Sequence, residues 1–467
     1  MGKIAAENKV FLKTSEKVAF DKVHRAKIKF NISRYDAAVE KGKKIYKNLD
    51  LARDRAGFIK YKVINELDKY LIEFEDNFVK NGGKVIWARD AKDAIDAVLS
   101  IAKAHQVKKV VKSKSMTTEE IELNEALEKN KIESLETDLG EFIVQQAGQK
   151  PYHIVTPAMH MSKEDIAGLY HEKFNTDEHL TPKELTLYTR QLLRKKFVGA
   201  DLGISGANFL IADMGGIALT ENEGNAMLSM SYPKVHIAIA GIEKLIPKLE
   251  DLGLYWPLLA SHGTGQNMTV YNSIISGPRR DDEQDGPDEM YVILMDNGRT
   301  HLLAQERQRQ ALSCIRCGAC LNACPVYKNI GGHTYNTTYS GPIGSIITPF
   351  LKDMKQYKHL SFACTICGKC TEVCPVKIPI HELLLLNRND SVKSGFYTFF
   401  EKASMKGSTK FLSSRKLMDL MGGKTKNFGA GLVVEKLWGP RRELPKFSEK
   451  SFSKQWKEKF GENEDAQ

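Results

Sequence analysis

The sequence predicts an α/β domain with a largely parallel sheet, entered through a helical segment and followed by a smaller helical module rich in cysteine. Three observations carry that reading. Apolar runs alternate with helical stretches between Lys84 and Met295, the pattern of a sheet whose strands are joined by helices. Residues 1 to about 75 are rich in Lys, Glu, Asp and Ala and repeat their apolar positions at helical spacing. All eight cysteines fall in two short blocks beyond residue 313. The chain of 467 residues is too long for one ordinary domain, and the expected divisions are 1–75, 76–300, 301–388 and 389–467.

In the first segment Val63, Leu67, Leu71 and Phe74 mark one helix face. From Lys84 the period changes. Lys84–Ala88 reads as a strand, Ala91–His105 as a helix, Lys108–Lys112 as a strand and Thr118–Lys129 as a helix. Further strands are expected at His153–Thr156, Phe209–Ala212, Ile217–Thr220, His236–Ala240 and Tyr291–Met295. Around the cysteines, helices are expected over Arg299–Leu312, Ile346–Tyr357 and Pro379–Asn387, with turns at Gly331-Gly332, Gly341-Pro342 and Pro349.

The two cysteine blocks share one pattern. Cys314, Cys317, Cys320 and Cys324 are followed by Pro325, and Cys364, Cys367, Cys370 and Cys374 by Pro375. Both read C-x2-C-x2-C-x3-C-P, with Gly318 and Gly368 after the second cysteine, so the block is also an internal repeat. Three thiolates two residues apart can curl around one face of an iron–sulfur cubane, and the fourth reaches the neighbouring cluster. Two [4Fe–4S] clusters with crossed ligands are expected: Cys314, Cys317, Cys320 and Cys374 on one, Cys364, Cys367, Cys370 and Cys324 on the other. Zinc more often takes separated pairs of ligands, and disulfides do not suit a cytosolic chain. The 39 residues between Cys324 and Cys364 exceed the connection of compact ferredoxins. They resemble the helical two-cluster module of respiratory dehydrogenase subunits.

Other loops are candidate ligand sites. Ser113, Lys114 and Ser115 stand between a strand and a helix, where amide N–H groups favour an anion. Glu221, Glu223 and Asn225 follow another apolar run, and glycines mark Gly203, Gly206, Gly215, Gly216 and Gly263–Gly265. No GxGxxG or GxxxxGK[ST] motif accompanies the strands, which argues against the usual dinucleotide and phosphate-loop folds. The net charge of +11 is uneven: from Ser391 onward there are 16 Lys/Arg against 9 Asp/Glu. A basic tail suits a solvated face, an acidic partner or nucleic acid; it carries no recognised nucleic-acid motif, so that partner is not expected. No run is long enough for a membrane span, and the N-terminal MGKIAAENKVFLK lacks the apolar centre of a secretory signal. Ala6 stands where a myristoylation motif needs Ser or Thr. A cytoplasmic protein is expected.

The chain resembles the lactate utilization protein B family, the iron–sulfur member of a three-protein system that oxidises L-lactate to pyruvate. The likeness lies in Glu136–Gly148, Gly203–Leu210, Leu219–Asn225, Ile274–Arg279, Asp296–Leu303 and Gly331–Pro349, in both cysteine blocks, and in Trp438-Gly439-Pro440-Arg441. It implies a sugar-phosphate isomerase/CoA-transferase-like α/β fold and two companion proteins as partners. No local feature gives Glu221 or Glu223 the role of the CoA-transferase glutamate, and Met214-Gly215-Gly216 departs from the Glu-Thr-Gly-Ser form expected there. The resemblance therefore carries the fold and not that catalysis. It implies an electron-transfer subunit. A sensor that binds an acid or phosphate, braced by clusters that do not turn over, and an oxidant-sensing nucleic-acid binder stand as the other readings.

Overall fold

Residues 6–433 and 443–461 are described in the structure, a computed structural model; Trp438-Gly439-Pro440-Arg441 lies outside the described residues. The chain forms two compact units, one running through Ser394 and the other beginning at Gly395.

Four helices open the first unit: α1 (Ala6–Phe20), α2 (Lys22–Gly42), α3 (Leu49–Asn65) and α4 (Leu67–Lys80). Asp21 caps α2 by accepting the His24 N–H at 2.9 Å, and Asn48 caps α3 through Leu51 N–H at 3.0 Å, each satisfying an otherwise orphaned amide. The apolar face seen in sequence is buried: Leu67, Leu71 and Phe74 of α4 join Leu210, Ile217 and Leu245 in one core cluster. Phe11, Ile28, Ile32 and Ala56 instead pack in the cluster that contains the cysteine module. The opening helices thus share their cores with both later parts of the chain.

The main sheet has six strands: β1 (Lys84–Ala88), β2 (Lys109–Lys112), β3 (Glu133–Glu136), β4 (Leu202–Ser205), β7 (Val235–Gly241) and β10 (Glu289–Met295). Their order is β1-β10-β7-β4-β2-β3, and every pairing is parallel. β7 is buried along its whole length, as a strand covered on both faces requires. A second sheet, ordered β8-β5-β6-β9, joins β5 (Phe209–Ile211), β6 (Gly216–Glu221), β8 (Leu245–Ile246) and β9 (Tyr271–Ile275). The chain leaves β2 toward β3 and leaves β4 the opposite way toward β7. That reversal places a crevice beyond the carboxyl ends of β2 and β4, where open parallel sheets bind ligands.

Several expected elements differ. The helix over Thr118–Lys129 is two helices, Met116–Glu120 and Leu123–Lys129, because Glu122 between them is left-handed with φ 54°. His153–Thr156 is a loop and not a strand. The His153 ring Nδ1 accepts the N–H groups of Val155 (3.1 Å) and Thr156 (3.3 Å), so a side chain takes amides that a ladder would use. The polar strand β3 escaped the apolar pattern because its partner supplies the logic: Lys112 faces Glu136 in the register, and its Nζ lies 2.7 Å from the Glu136 carboxylate.

The cysteine module is helical. It includes Ala319–Ala323, Pro325–Ile330, Gly341–Leu351, Met354–Phe362, Lys369–Glu372 and Ile380–Lys393. The stretch Ile346–Tyr357 is interrupted where Asp353 caps a new helix through Gln356 N–H at 2.7 Å. Arg299–Leu312 divides into a helix, Arg299–Leu303, and a 3-10 turn, Gln308–Ser313. The second unit contains helices Phe399–Leu412, Arg415–Asp419, Gly423–Val433 and Phe452–Phe460. Among the described residues no helix is long and apolar enough to cross a membrane.

Candidate metal centres and the adjoining cleft

The two cysteine loops have one backbone form. Arg316 and Ile366, at equivalent places in the repeat, are left-handed (φ 61° and 54°), as are Gly318 and Gly368 (φ 81° and 78°). These turns aim amides at sulfur. Arg316 N–H points to Cys314 Sγ (3.4 Å) and Ile366 N–H to Cys364 Sγ (3.3 Å). After the prolines, Tyr327 N–H faces Cys324 Sγ (3.5 Å) and Ile378 N–H faces Cys374 Sγ (3.4 Å). Amide donors of this kind stabilise thiolate charge and tune bound iron–sulfur groups.

Cys314, Cys317, Cys320 and Cys374 line one small apolar cavity, with Ile154, Ile315, Ile343, Val376 and Ile378 in its walls. The fourth cysteine of the second block therefore stands with the first three of the first block. Burial, and then neighbouring cysteines, push the thiols of Cys317 and Cys320 well up and that of Cys374 to about 11. Around the other set, burial with Cys364, Cys324 and Cys367 nearby raises Cys370 to about 12, and Cys324 is raised by burial and by Cys364 and Cys367. Thiolates gathered in such surroundings need a cationic centre to hold their charge. The donor set fits [4Fe–4S] groups. Among the described residues no three His, Cys, Asp or Glu side chains are placed to hold a single ion; the four cysteines instead surround a space.

The surroundings of the sets differ. His153, Ile154 and Val155 lie over the first loop, so a Cβ on Gly318 would stand 3.0 Å from Val155 Cγ2; one on Gly368 would meet nothing within 4 Å. In the first set Cys317, Cys320 and Cys374 are buried and Cys314 is half-buried; in the second Cys324 and Cys370 are buried and Cys364 is half-buried, but Cys367 is exposed. Arg53 ties α3 to the end of the second block, donating to the carbonyls of Cys374 (3.0 Å) and Glu372 (2.6 Å). Arg388 donates to the Cys364 carbonyl at 2.8 Å.

A polar cleft of about 300 Å³ opens beside the first cavity, lined by Ser113 and Lys114 after β2, Asp138 after β3 and Asn208 after β4. Ser113, Lys114, Glu221, Glu223 and Asn225 all line it, together with Asp138, Arg316 and Cys317. Ser115 does not line it: its hydroxyl caps the helix beginning at Met116 by accepting Thr118 N–H at 3.3 Å, and it packs beneath Gly206. Lys114 Nζ meets Asp138 Oδ2 and the Val155 carbonyl, each at 3.2 Å. Glu221 accepts the N–H groups of Ala226 (2.7 Å) and Met227 (3.0 Å), which occupies its carboxylate in capping the helix Asn225–Ser231. Glu223 accepts Leu139 N–H at 3.0 Å; partial burial, then Asp138, raises its pKa at the cleft mouth. Asn225 is buried against Thr137.

Sequence reasoning missed the charged residues that join the cleft to the cysteines. Arg316 stacks its guanidinium 4.5 Å over the Tyr339 ring and reaches Glu243 at 3.4 Å. The buried Arg299 pairs with Glu243 (2.5 Å) and, through both terminal nitrogens, with Glu120 (2.9 Å). Burial alone would raise Glu243, but Arg299 and Arg316 hold it down to about 2. One signal was present: Arg316 fills the place that Ile366 fills in the otherwise matching block. Ile154, Arg316 and Cys317 line both the cleft and the cavity, so these two spaces share a wall. A larger hollow in the second unit, among Arg415, Lys426 and Phe452, has none of these residues.

Comparison with known proteins finds two matching domain families in the chain. A LUD domain model matches residues 71–295, and a 4Fe-4S dicluster domain model matches residues 310–378. A DUF162 family protein from Deinococcus radiodurans, of known crystal structure, is 12% identical with a TM-score of 0.28, covering 49% of this chain and 98% of that one. Lactate utilization protein B from Bacillus cereus (strain AH820) is 41% identical over 448 residues, 93% of either chain. The proteins of that name from Bacillus thuringiensis (strain Al Hakam) and Bacillus anthracis (strain CDC 684 / NRRL 3495) match to the same extent. At that identity over nearly its whole length, the chain belongs to the lactate utilization protein B family.

Proposed function

We propose that the chain is the electron-carrying subunit of a cytoplasmic assembly that oxidises L-lactate to pyruvate with two companion proteins. Cys314, Cys317, Cys320 and Cys374 would hold one [4Fe–4S] cluster, and Cys324, Cys364, Cys367 and Cys370 the other. Each cluster, when bound, supplies a one-electron centre. The chain's own residues set the conditions. Ile154, Ile315, Ile343 and Ile378 keep water from the inner set, Arg316 sets a positive charge beside it, and the backbone N–H groups of Arg316, Ile366, Tyr327 and Ile378 face the sulfurs. Ser113, Lys114, Glu221, Glu223 and Asn225 would form a ligand site in the cleft.

The observation that carries the proposal is the placement of the two sets. One shares a wall with a polar cleft, and the other reaches the surface at Cys367, as a path from an inner site to an outside partner requires. Protein purified without oxygen should contain about eight irons. Its EPR signals should change when L-lactate is added with the companion proteins present. If lactate leaves those signals unchanged in the reconstituted assembly, the electron-carrying role fails. The shared wall also supports a second reading, a sensor whose centres never change oxidation state. Freeze-quenched EPR during turnover separates the two, since only the first role moves the signals.

A further inference from the structure

From Gly395 onward, where the second unit begins, no described apolar side chain is buried. Phe399, Leu412, Leu420, Phe428 and Leu432 are each more than half exposed. The helix Phe452–Phe460 adds an aromatic row. Phe452, Trp456 and Phe460 recur four residues apart, with neighbouring ring centroids at 5.7 Å and 4.5 Å, and they are 75%, 53% and 47% exposed. Residues at that spacing share one helix face, so the three rings form a single open stripe. Apolar surface gathered and left open in this way marks a place of attachment.

The charge beside it has mostly one sign. Helices Phe399–Leu412, Gly423–Val433 and Phe452–Phe460 hold eight lysines, two glutamates and no arginine. Among the described residues, only Lys424 of the eight has a carboxylate partner, Glu449 at 3.5 Å. The two glutamates are engaged elsewhere: Glu458 by Lys450 at 2.6 Å, and Glu401 by the Thr398 N–H at 2.7 Å. By helical spacing Lys457 and Lys459 stand on either side of the aromatic stripe, and Lys459 Nζ lies 5.3 Å over the Phe460 ring. A stripe of rings rimmed by lysines suits the boundary between lipid headgroups and acyl chains. Aromatic rings settle at that level, and lysine stems run along the apolar layer while their ammonium groups reach the phosphates.

Other partners fit less of this surface. A nucleic acid would engage the rings and the cations but leave Leu412, Leu420 and Leu432 in water, and arginine, whose planar fork matches phosphate, is missing from all three helices. A protein partner typically meets apolar anchors in one groove, whereas these side chains are spread over several helices. A bilayer with anionic headgroups offers negative charge and apolar depth across a whole plane.

We propose that the second unit attaches the protein to the surface of a bilayer containing anionic phospholipid, with Phe452, Trp456 and Phe460 entering the headgroup layer and Lys457 and Lys459 meeting the phosphates. Attachment of this kind lies on the membrane and does not span it. A short stripe with few charges makes it reversible and sensitive to salt.

The test is flotation of the full-length protein, purified without oxygen, with vesicles of phosphatidylcholine alone or of phosphatidylcholine mixed with about an equal amount of phosphatidylglycerol. The protein should float with the mixed vesicles and not with phosphatidylcholine, and about 0.5 M salt should weaken the binding about tenfold or more. Lys457→Gln combined with Lys459→Gln, and separately Phe452→Ser combined with Phe460→Ser, should each lower binding about tenfold, with iron content and melting temperature unchanged because these side chains are exposed. Trp456→Phe preserves the stripe: it should float as the parent does but lose the tryptophan quenching that brominated lipid produces in the parent. The assignment is overturned if the mixed vesicles do not carry the protein, if both kinds of vesicle carry it equally, or if quenching by brominated lipid is unchanged in Trp456→Phe. If the protein ignores vesicles, and the paired serine substitutions instead abolish binding to the companion proteins or to an RNA oligonucleotide, the surface belongs to that partner and the lipid assignment fails.

Discussion

The two cysteine blocks have the same spacing, the same left-handed turns and the same amides aimed at sulfur, yet one lies under the α/β domain and the other faces solvent. The first is roofed by the loop His153–Val155 and flanked by Arg316. The second leaves Gly368 uncovered and Cys367 exposed. A duplicated motif therefore specifies a local shape, while position in the chain decides whether that shape is enclosed or open. The inner block should be costly to disturb and the outer block tolerant.

The largest contrast is expected at the cysteines. Cys320→Ala should lower iron from about eight per chain to about four or fewer, with a marked fall in melting temperature, whereas Cys367→Ala should keep about four irons with little change in melting. Equal losses of iron and stability in the two variants would break the comparison. The next effect concerns the charges that clamp the inner side. Arg299→Met takes the paired guanidinium from the buried Glu120 and leaves Glu243 its longer pair with Arg316, and should cost about 3–5 kcal/mol in denaturant unfolding.

Smaller effects sharpen the same contrast. Gly318→Ala and Gly368→Ala both force a side chain into the left-handed region, at about 1–2 kcal/mol. Only Gly318→Ala also presses on Val155, His153 and Ile154, adding about 1 kcal/mol or more of overpacking. Comparable melting shifts in the two would mean that the roof yields freely.

A pH effect belongs to the roof as well. His153 is held down to about 3 by burial and then by Lys114, against about 6.5 in the unfolded chain. Between those values the unfolded state binds the extra proton, so stability rises with pH there and is lost as pH falls from 6.5 toward 3. His153→Gln should remove that part of the slope, about 2–3 kcal/mol between pH 7 and pH 4, in denaturant titrations at the two pH values.

The parts of this arrangement legible in sequence were those written in local pattern. The cysteine spacing announced both blocks, and the apolar runs gave β7 and β10 because strands buried on both faces are apolar throughout. The charged strand β3 was hidden, since its place depends on Glu136 meeting Lys112 across the sheet. His153–Thr156 misled because its apolar residues serve as a roof over Gly318 and not as a ladder. Ser113 and Lys114 were picked out for lying between strand and helix and do line the cleft; Ser115, on the same argument, turned inward as a cap. Arg316 became informative only once the fold brought the loops after β2 and β3 against the first block.

Cys374 closes a space whose other three sulfurs come from a block some fifty residues earlier. A chain still emerging from the ribosome thus has three donors for that space and waits for the fourth until the intervening helices have been made. Completion of the inner site becomes a check on synthesis of the whole module. A nonsense product ending before Cys374 would leave an open-sided site with reactive thiols, a ready mark for degradation.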